Sequence, residues 1–280
     1  MLFADRFTLY AARFGAAIVA LTATLLFVSI ALCAVQAVAA DWGAVFSWRW
    51  QPSNGEFGIL PMLVGSLILS AITTPIAFVI ALLVTGYTLT SRSRFAAILS
   101  ATLEIMSGIP TVLYAFVALF LLTPLLRAAF GGSGLSLFTA VIALVLLVLP
   151  TVALTLKAAI KPRLDRFALS ALALGMSRME AFFFLALKNA KTGLIAAAML
   201  GFGRAIGDTL MPLMLGGNAA QTPMSLFDSF RSLSAHIALA TANEAGAAAY
   251  DSLFAAGGLL LAITLGVSFA ARILTAQSAK

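Results

Sequence analysis

Six apolar runs, each long enough to cross a bilayer as a helix, take up most of this 280-residue chain. They lie at about Gly15–Ala40, Gly58–Tyr87, Phe95–Leu126, Ser136–Ala159, Gly193–Asn218 and Asp251–Leu274. A helix rises about 1.5 Å per residue, so roughly 20 apolar residues span the hydrocarbon layer. With 62% hydrophobic and only 10% charged residues, the chain carries far more apolar surface than a water-soluble core can bury. The expectation is an all-α polytopic membrane protein with six transmembrane helices. Arg6 and Arg13 before the first run, and Ala37-Val-Ala39 after it, imitate a secretion signal, but the run exceeds the roughly 7–15 residues of a signal core and reads as an uncleaved span.

The net charge of +7 would suggest a nucleic-acid partner in a soluble protein, but here its distribution accounts for it. With the N-terminus inside, cytoplasmic segments hold Arg6, Arg13, Arg92, Arg94, Lys157, Lys161, Arg163, Arg166, Arg178, Lys188, Lys191, Arg272 and Lys280. External loops hold Arg49, Arg127 and Arg231. That asymmetry follows the positive-inside rule and places both termini in the cytoplasm. All three tryptophans, Trp42, Trp48 and Trp50, fall in the polar stretch Asp41–Phe57, an external loop at the membrane interface with turns at Pro52, Asn54 and Gly55. The polar segment from Asn218 to Tyr250, with Asp228, Arg231, His236 and Glu244, reads as a second external loop. Cys33 is the single cysteine and His236 the single histidine, so a disulfide framework and most zinc chemistry are excluded, and no metal or cofactor is expected.

The fifth run carries the residues that most need explaining. Arg204 sits near its middle and Asp208 follows one turn later, so on a continuous helix both point the same way. An arginine at that depth costs roughly 3 to more than 10 kcal/mol unless it meets a partner or a wet cavity. It is either an anion-handling site in a transport pathway or half of an Arg–Asp pair that fixes helix rotation. Gly203 and Gly207 form a small-xxx-small pair that lets another helix approach. In the third run Ser107-Gly108-Ile109-Pro110 breaks the helix at depth, with Glu104 just before it as a second pathway candidate or a packing hydrogen bond. Pro75 should kink the second span, with Thr73 and Thr74 available to the freed backbone groups.

Between the fourth and fifth runs lies a basic segment, 161–192, in which Leu164, Phe167, Leu172 and Met179 recur near helical spacing around Gly175. Such a helix either docks on a soluble partner or lies on lipid headgroups.

This segment resembles the cytoplasmic signature loop of ABC-importer permeases. Leu169-Ser170-Ala171, Gly175 and Leu185-Ala186-Leu187-Lys188 occupy its positions, without the usual glutamate and proline. Gly203-Arg-Ala-Ile-Gly-Asp-Thr209 with Gly217-Asn218 is similar to the fifth-span motif of phosphate importers, with Asp208 where they usually carry Glu. Glu104 followed by Gly108-Ile-Pro-Thr-Val-Leu-Tyr114 matches a second motif. Trp50-Gln-Pro, Glu56-Phe-Gly-Ile-Leu-Pro61 and Ser225-Leu-Phe-Asp228 resemble the C-type (PstC-like) subunits.

The resemblance implies a type I ABC importer permease with a MetI-like core, 58–280, and an extra N-terminal helix with its loop, 1–57. It implies a heterodimer with a homologous PstA-like permease, a PstB-like ATPase dimer inside, a PstS-like phosphate-binding protein outside, and lipid around the spans. It gives Arg204, Asp208 and Glu104 to the transport pathway, Gly203, Gly207, Gly108 and Pro110 to helix packing and breaks, and Ala171, Gly175, Leu185 and Leu187 to coupling. The chain has no Gly-x-x-x-x-Gly-Lys-Ser/Thr loop, so ATP hydrolysis belongs to a separate chain. A permease of this fold for sulfate, molybdate or tungstate is the nearest alternative. An ion-coupled secondary transporter using Glu104 and Asp208 is a further one, and a Ser–His membrane enzyme has little support beside a lone histidine.

Overall fold

A computed structural model describes residues 2–243 and 247–277; Glu244 and Lys280 lie outside them. The first element is a single long helix, α1 (Leu2–Ala40), followed by a short helix α2 (Trp42–Val45) whose first turn is capped by the Asp41 carboxylate, accepting from Ala44 N at 2.9 Å. The interfacial stretch then forms a small antiparallel hairpin, β1 (Trp50–Gln51) and β2 (Glu56–Phe57), pairing Trp50 with Phe57. Gly55 closes it at φ +73, a left-handed conformation that glycine adopts without strain.

The second run is α3 (Leu60–Thr90), with Pro75 inside. The Thr73 and Thr74 hydroxyls, expected to serve backbone groups near Pro75, instead lie buried without a hydrogen-bond partner among the described residues. The third run breaks as expected, into α4 (Arg94–Gly108), α5 (Thr111–Val117), a wide π turn at Ala118–Leu122, and α6 (Thr123–Phe130).

The fourth run is longer than its apolar stretch. Helix α7 (Leu137–Ala173) continues through Lys157, Lys161 and Arg166, because Leu156, Ile160 and Leu164 keep a buried stripe at four-residue spacing beyond Ala159. Leu174 ends it, and Gly175 (φ +72) turns the chain into α8 (Arg178–Glu180), opened by a capping box between Ser177 and Glu180. A π turn at Ala181–Ala186 leads to α9 (Lys191–Gly207), then α10 (Leu210–Leu215), α11 (Leu233–Asn243) and α12 (Ala247–Gln277). Among the described residues five helices are long and apolar enough to cross a membrane, and the bent pair Arg178–Ala186 with Lys188–Gly207 makes up to six.

Helices α3, α7, α9 and α12 pack around one another, and α1 lies along α12. Small residues set the closest approaches. Gly193, Ala197, Gly201 and Ala205 form a ridge on α9 that sits against α7; a side chain at Gly201 would place its Cβ 2.8 Å from Val152 Cγ2, and one at Gly193 would collide with Ala159. Gly258 of α12 meets Ala34 of α1 in the same way. By contrast, a Cβ at Gly203, Gly207 or Gly108 would meet nothing within 4 Å. None of the three is in close contact within the chain, and Gly203 lines a groove between α9 and α12.

The loops gather at two ends. At one, the backbone at Asp228 and Leu226 accepts from the first N–H groups of α7 (3.0 and 2.7 Å), near the hairpin and α11. The segment read as an external loop contains α11, and His236 is fully buried there rather than exposed, its ring edge-on to Trp50 at 4.2 Å. Burial, aided by Arg231 3.5 Å from Nδ1, lowers the His236 pKa to about 3 and keeps the imidazole neutral. At the other end, Arg178 Nε donates to Leu89 O at 2.9 Å and buried Phe182 packs on Gly86, tying the α7–α9 connection to the end of α3. Because Gly258 near the start of α12 meets Ala34 near the end of α1, the two helices run antiparallel, and the start of α1 and the end of α12 lie toward this second end.

Candidate functional site

Two helix breaks built on the same principle lie side by side in the membrane-spanning part. Proline has no N–H, so it leaves the carbonyl four residues earlier without its helical partner. Pro110 frees Met106 O, which the Tyr114 hydroxyl takes over at 2.8 Å. Pro212 frees Asp208 O, which the Ser234 hydroxyl takes over at 2.8 Å. Helix α10, after the second break, packs on α5, after the first. Each break thus keeps its backbone satisfied, the condition for irregular structure at membrane depth.

Asp208 sits at the second break in an extended conformation (φ −71, ψ 130), and its Oδ2 accepts from Met211 N at 2.8 Å. It caps α10. The continuous helix expected across Arg204 and Asp208 therefore ends at Gly207, and the two side chains do not share a helical face. Among the described residues no carboxylate lies within 4.0 Å of the Arg204 guanidinium. Arg204 is nonetheless close enough to Asp208 and to Tyr114 to act on each through its charge.

Arg204 is exposed. It lines an open groove of about 550 Å³ between α9 and α12, with Thr151 of α7 and Thr264 and Ser268 of α12. The two α12 hydroxyls donate back to Leu260 O and Thr264 O, which leaves their lone pairs, not their protons, toward the groove. An anion entering here finds the arginine as its cationic donor.

Glu104 takes a different partner. Its Oε1 accepts from Lys157 Nζ at 3.1 Å, and Ser100 Oγ lies 2.7 Å from the same ammonium. Lys157 had read as part of the basic loop; inside the extended α7 it becomes the counter-charge of Glu104. The Leu156–Ile160–Leu164 stripe was the signal for this. Tyr114 was visible only as part of a motif, since no pattern in sequence tells which hydroxyl replaces a lost N–H.

The coupling candidates divide. Gly175 is exposed at the tip of the α7–α9 connection, whereas Ala171 is buried and Leu185 and Leu187 are half-buried against the core. The apolar residues exposed beside Gly175 are Leu169, Leu172 and Leu174, at 81%, 70% and 75%.

Broken spans around an arginine with no carboxylate partner among the described residues, with an apolar tip on an extended helix, describe a polytopic membrane protein. Residues 74–277 match the family of binding-protein-dependent transport system inner membrane components, and the chain belongs to that family. It is similar to the phosphate transport system permease protein PstC of Haemophilus influenzae, 28% identical over 91% of this chain and 90% of that one. PstC of Pasteurella multocida is 29% identical over 83% and 80%. The probable ABC transporter permease protein YqgH of Bacillus subtilis is 29% identical over 78% and 72%. Among solved structures, a chain of the inward-facing MetNI methionine ABC transporter superposes with a TM-score of 0.62 at 19% identity, covering 82% of this chain and 99% of that one. A second crystal form gives 0.60 at 18% identity, over 76% and 93%. The permease fold with an additional N-terminal helix, α1, is thereby established.

Proposed function

We propose that the chain is the permease subunit of an ATP-driven importer of inorganic phosphate and works by alternating access. The observation that carries this reading is Arg204. It is a guanidinium at the level of two helix breaks, free of any carboxylate within ion-pair distance among the described residues, facing a groove in a chain similar to PstC permeases along most of its length. A guanidinium suits phosphate because its planar fork donates two parallel hydrogen bonds while keeping its charge at any pH. Asp208 nearby limits the field that a bound anion feels, which favours release over trapping.

In this reading Gly203, Gly207 and Gly108, open in the single chain, admit the helices of a homologous PstA-like permease. The end holding Gly175 faces the cytoplasm and a PstB-like ATPase pair; the end holding α11 and the hairpin faces a PstS-like phosphate-binding protein. Residues 1–57 form an added helix and loop outside the five-helix core of 58–280. Substrate choice is tested by competition in proteoliposomes carrying the assembled importer. Labelled phosphate uptake should fall with unlabelled phosphate and hold against equal sulfate or molybdate. Displacement by sulfate or molybdate at lower concentration than phosphate would reassign the substrate while keeping the transport class.

A further inference from the structure

Four cations from three parts of the fold converge on a cavity that shares no lining residue with the Arg204 groove. The turn between α3 and α4 supplies Arg92, α7 supplies Lys157 and Lys161, and the connection after Gly175 supplies Arg178. The cavity holds about 330 Å³, and hydroxyls of Ser91 and Ser100 line it, with no carboxylate among its lining residues. Two of the four charges are matched at its edge, Lys157 by Glu104 at 3.1 Å and Arg178 by Asp165 at 3.9 Å. Among the described residues Arg92 and Lys161 have no carboxylate within 4.0 Å. An excess of two positive charges therefore faces a space about the size of a small oxyanion and its water.

Like charges held together in a partly enclosed space are stabilised by an anion that enters between them. Ser91 and Ser93 line the cavity; Ser91 Oγ donates to Ser93 Oγ at 3.1 Å and Ser93 shares a second bond with Tyr87 Oη at 3.0 Å, so this chain leaves one hydroxyl proton for an anion. We propose that this cavity is a second anion site of the chain, one that binds a phosphate group. The group comes either from free inorganic phosphate or from the headgroup of an anionic phospholipid. A guest there touches the end of α3, the middle of α7 and Arg178, so its occupancy braces the connection around Gly175 against the rest of the helices. Only the statement that this face is cytoplasmic rests on the proposed function; the binding itself does not.

The full chain in lipid nanodiscs tests it, in an Arg204→Gln background so that the groove between α9 and α12 adds no phosphate binding. In zwitterionic discs, inorganic phosphate should bind the background chain at least about tenfold more tightly than the chain with Arg92→Gln and Lys161→Gln added. The charge-keeping pair Arg92→Lys and Lys161→Arg should stay within about twofold, because the unpaired charges carry most of the attraction. If phosphate does not bind but the background chain retains phosphatidylglycerol from mixed discs by native mass spectrometry, and the glutamine pair does not, the occupant is the lipid headgroup. Equal binding of phosphate and lipid by the background chain and the glutamine pair overturns the site. So does the absence of both, which would leave an acidic protein surface as what these cations meet. Loss of uptake by Arg204→Gln alongside such a failure would leave the proposed function intact.

Discussion

Arg204→Gln should reduce ATP-driven phosphate uptake to background while the chain still assembles with its partners. The cation at membrane depth is costly, and among the described residues its cost is not met by a salt bridge. Asp208 is committed to Met211 N, and Glu104 to Lys157. Removing the guanidinium therefore leaves neither carboxylate newly stranded, and folding should tolerate it. What is lost is a charge-assisted bidentate contact to the anion, about 1.5–3 kcal/mol per hydrogen bond or roughly tenfold to a hundredfold each. The double variants Arg204→Gln/Asp208→Asn and Arg204→Gln/Glu104→Gln should stay inactive, since neither carboxylate is within ion-pair distance of Arg204. Arg204→Lys should retain partial uptake, with the charge kept and the fork lost. Uptake in ATP-loaded proteoliposomes, beside co-purification of the partners, measures both halves. Restoration in either double variant, or near wild-type uptake in the single one, would return Arg204 to a packing role along the α9–α12 groove.

The second large effect belongs to Gly175. Its φ of +72 demands glycine or a residue that tolerates the left-handed conformation, and a side chain there would point into open space beside Leu169, Leu172 and Leu174. Asparagine and aspartate both tolerate that backbone at a cost of about 1 kcal/mol, so comparing the two isolates charge from strain. Gly175→Asp should lose most ATPase stimulation and co-purification of the ATPase, whereas Gly175→Asn should keep the larger part. ATP is hydrolysed inside the cell, so that loss would also fix the end holding Gly175 on the cytoplasmic side. Wild-type coupling in Gly175→Asp would remove the tip from the contact.

Much of the architecture was legible because lipid leaves few choices. Apolar runs longer than a bilayer become helices, and Ser107-Gly108-Ile109-Pro110 had to end one of them. The break at Asp208 was missed although Pro212 announces it: a proline four residues after a capping carboxylate cannot continue the helix over that carbonyl. The loop reading failed at His236 because Leu233–Ala242 is an apolar helix too short to span a membrane, set between polar flanks, with its Leu233 N–H bonded to Ser66 Oγ and His236 held against Trp50 and Arg231. The glycines show a different limit. Gly193, Ala197 and Gly201 pack within the chain while Gly203 and Gly207 do not, and the four-residue spacing of small residues is the same in both stripes. Which face of α9 meets α7 is decided by Val148, Val152 and Ala159 on the facing helix, far away in sequence.

In the proposed function ATP drives phosphate uptake by alternating access, with Arg204 and not a proton carrier at the pathway. The most direct measurement is phosphate uptake into proteoliposomes holding the chain, its permease and ATPase partners, and external binding protein. ATP and the proton gradient are varied independently. Uptake should require ATP inside, stop with a non-hydrolysable analogue, and continue unchanged when a protonophore collapses the gradient. Uptake that persists without ATP and stops with the protonophore would contradict the account, and would make Glu104 and Asp208 proton carriers.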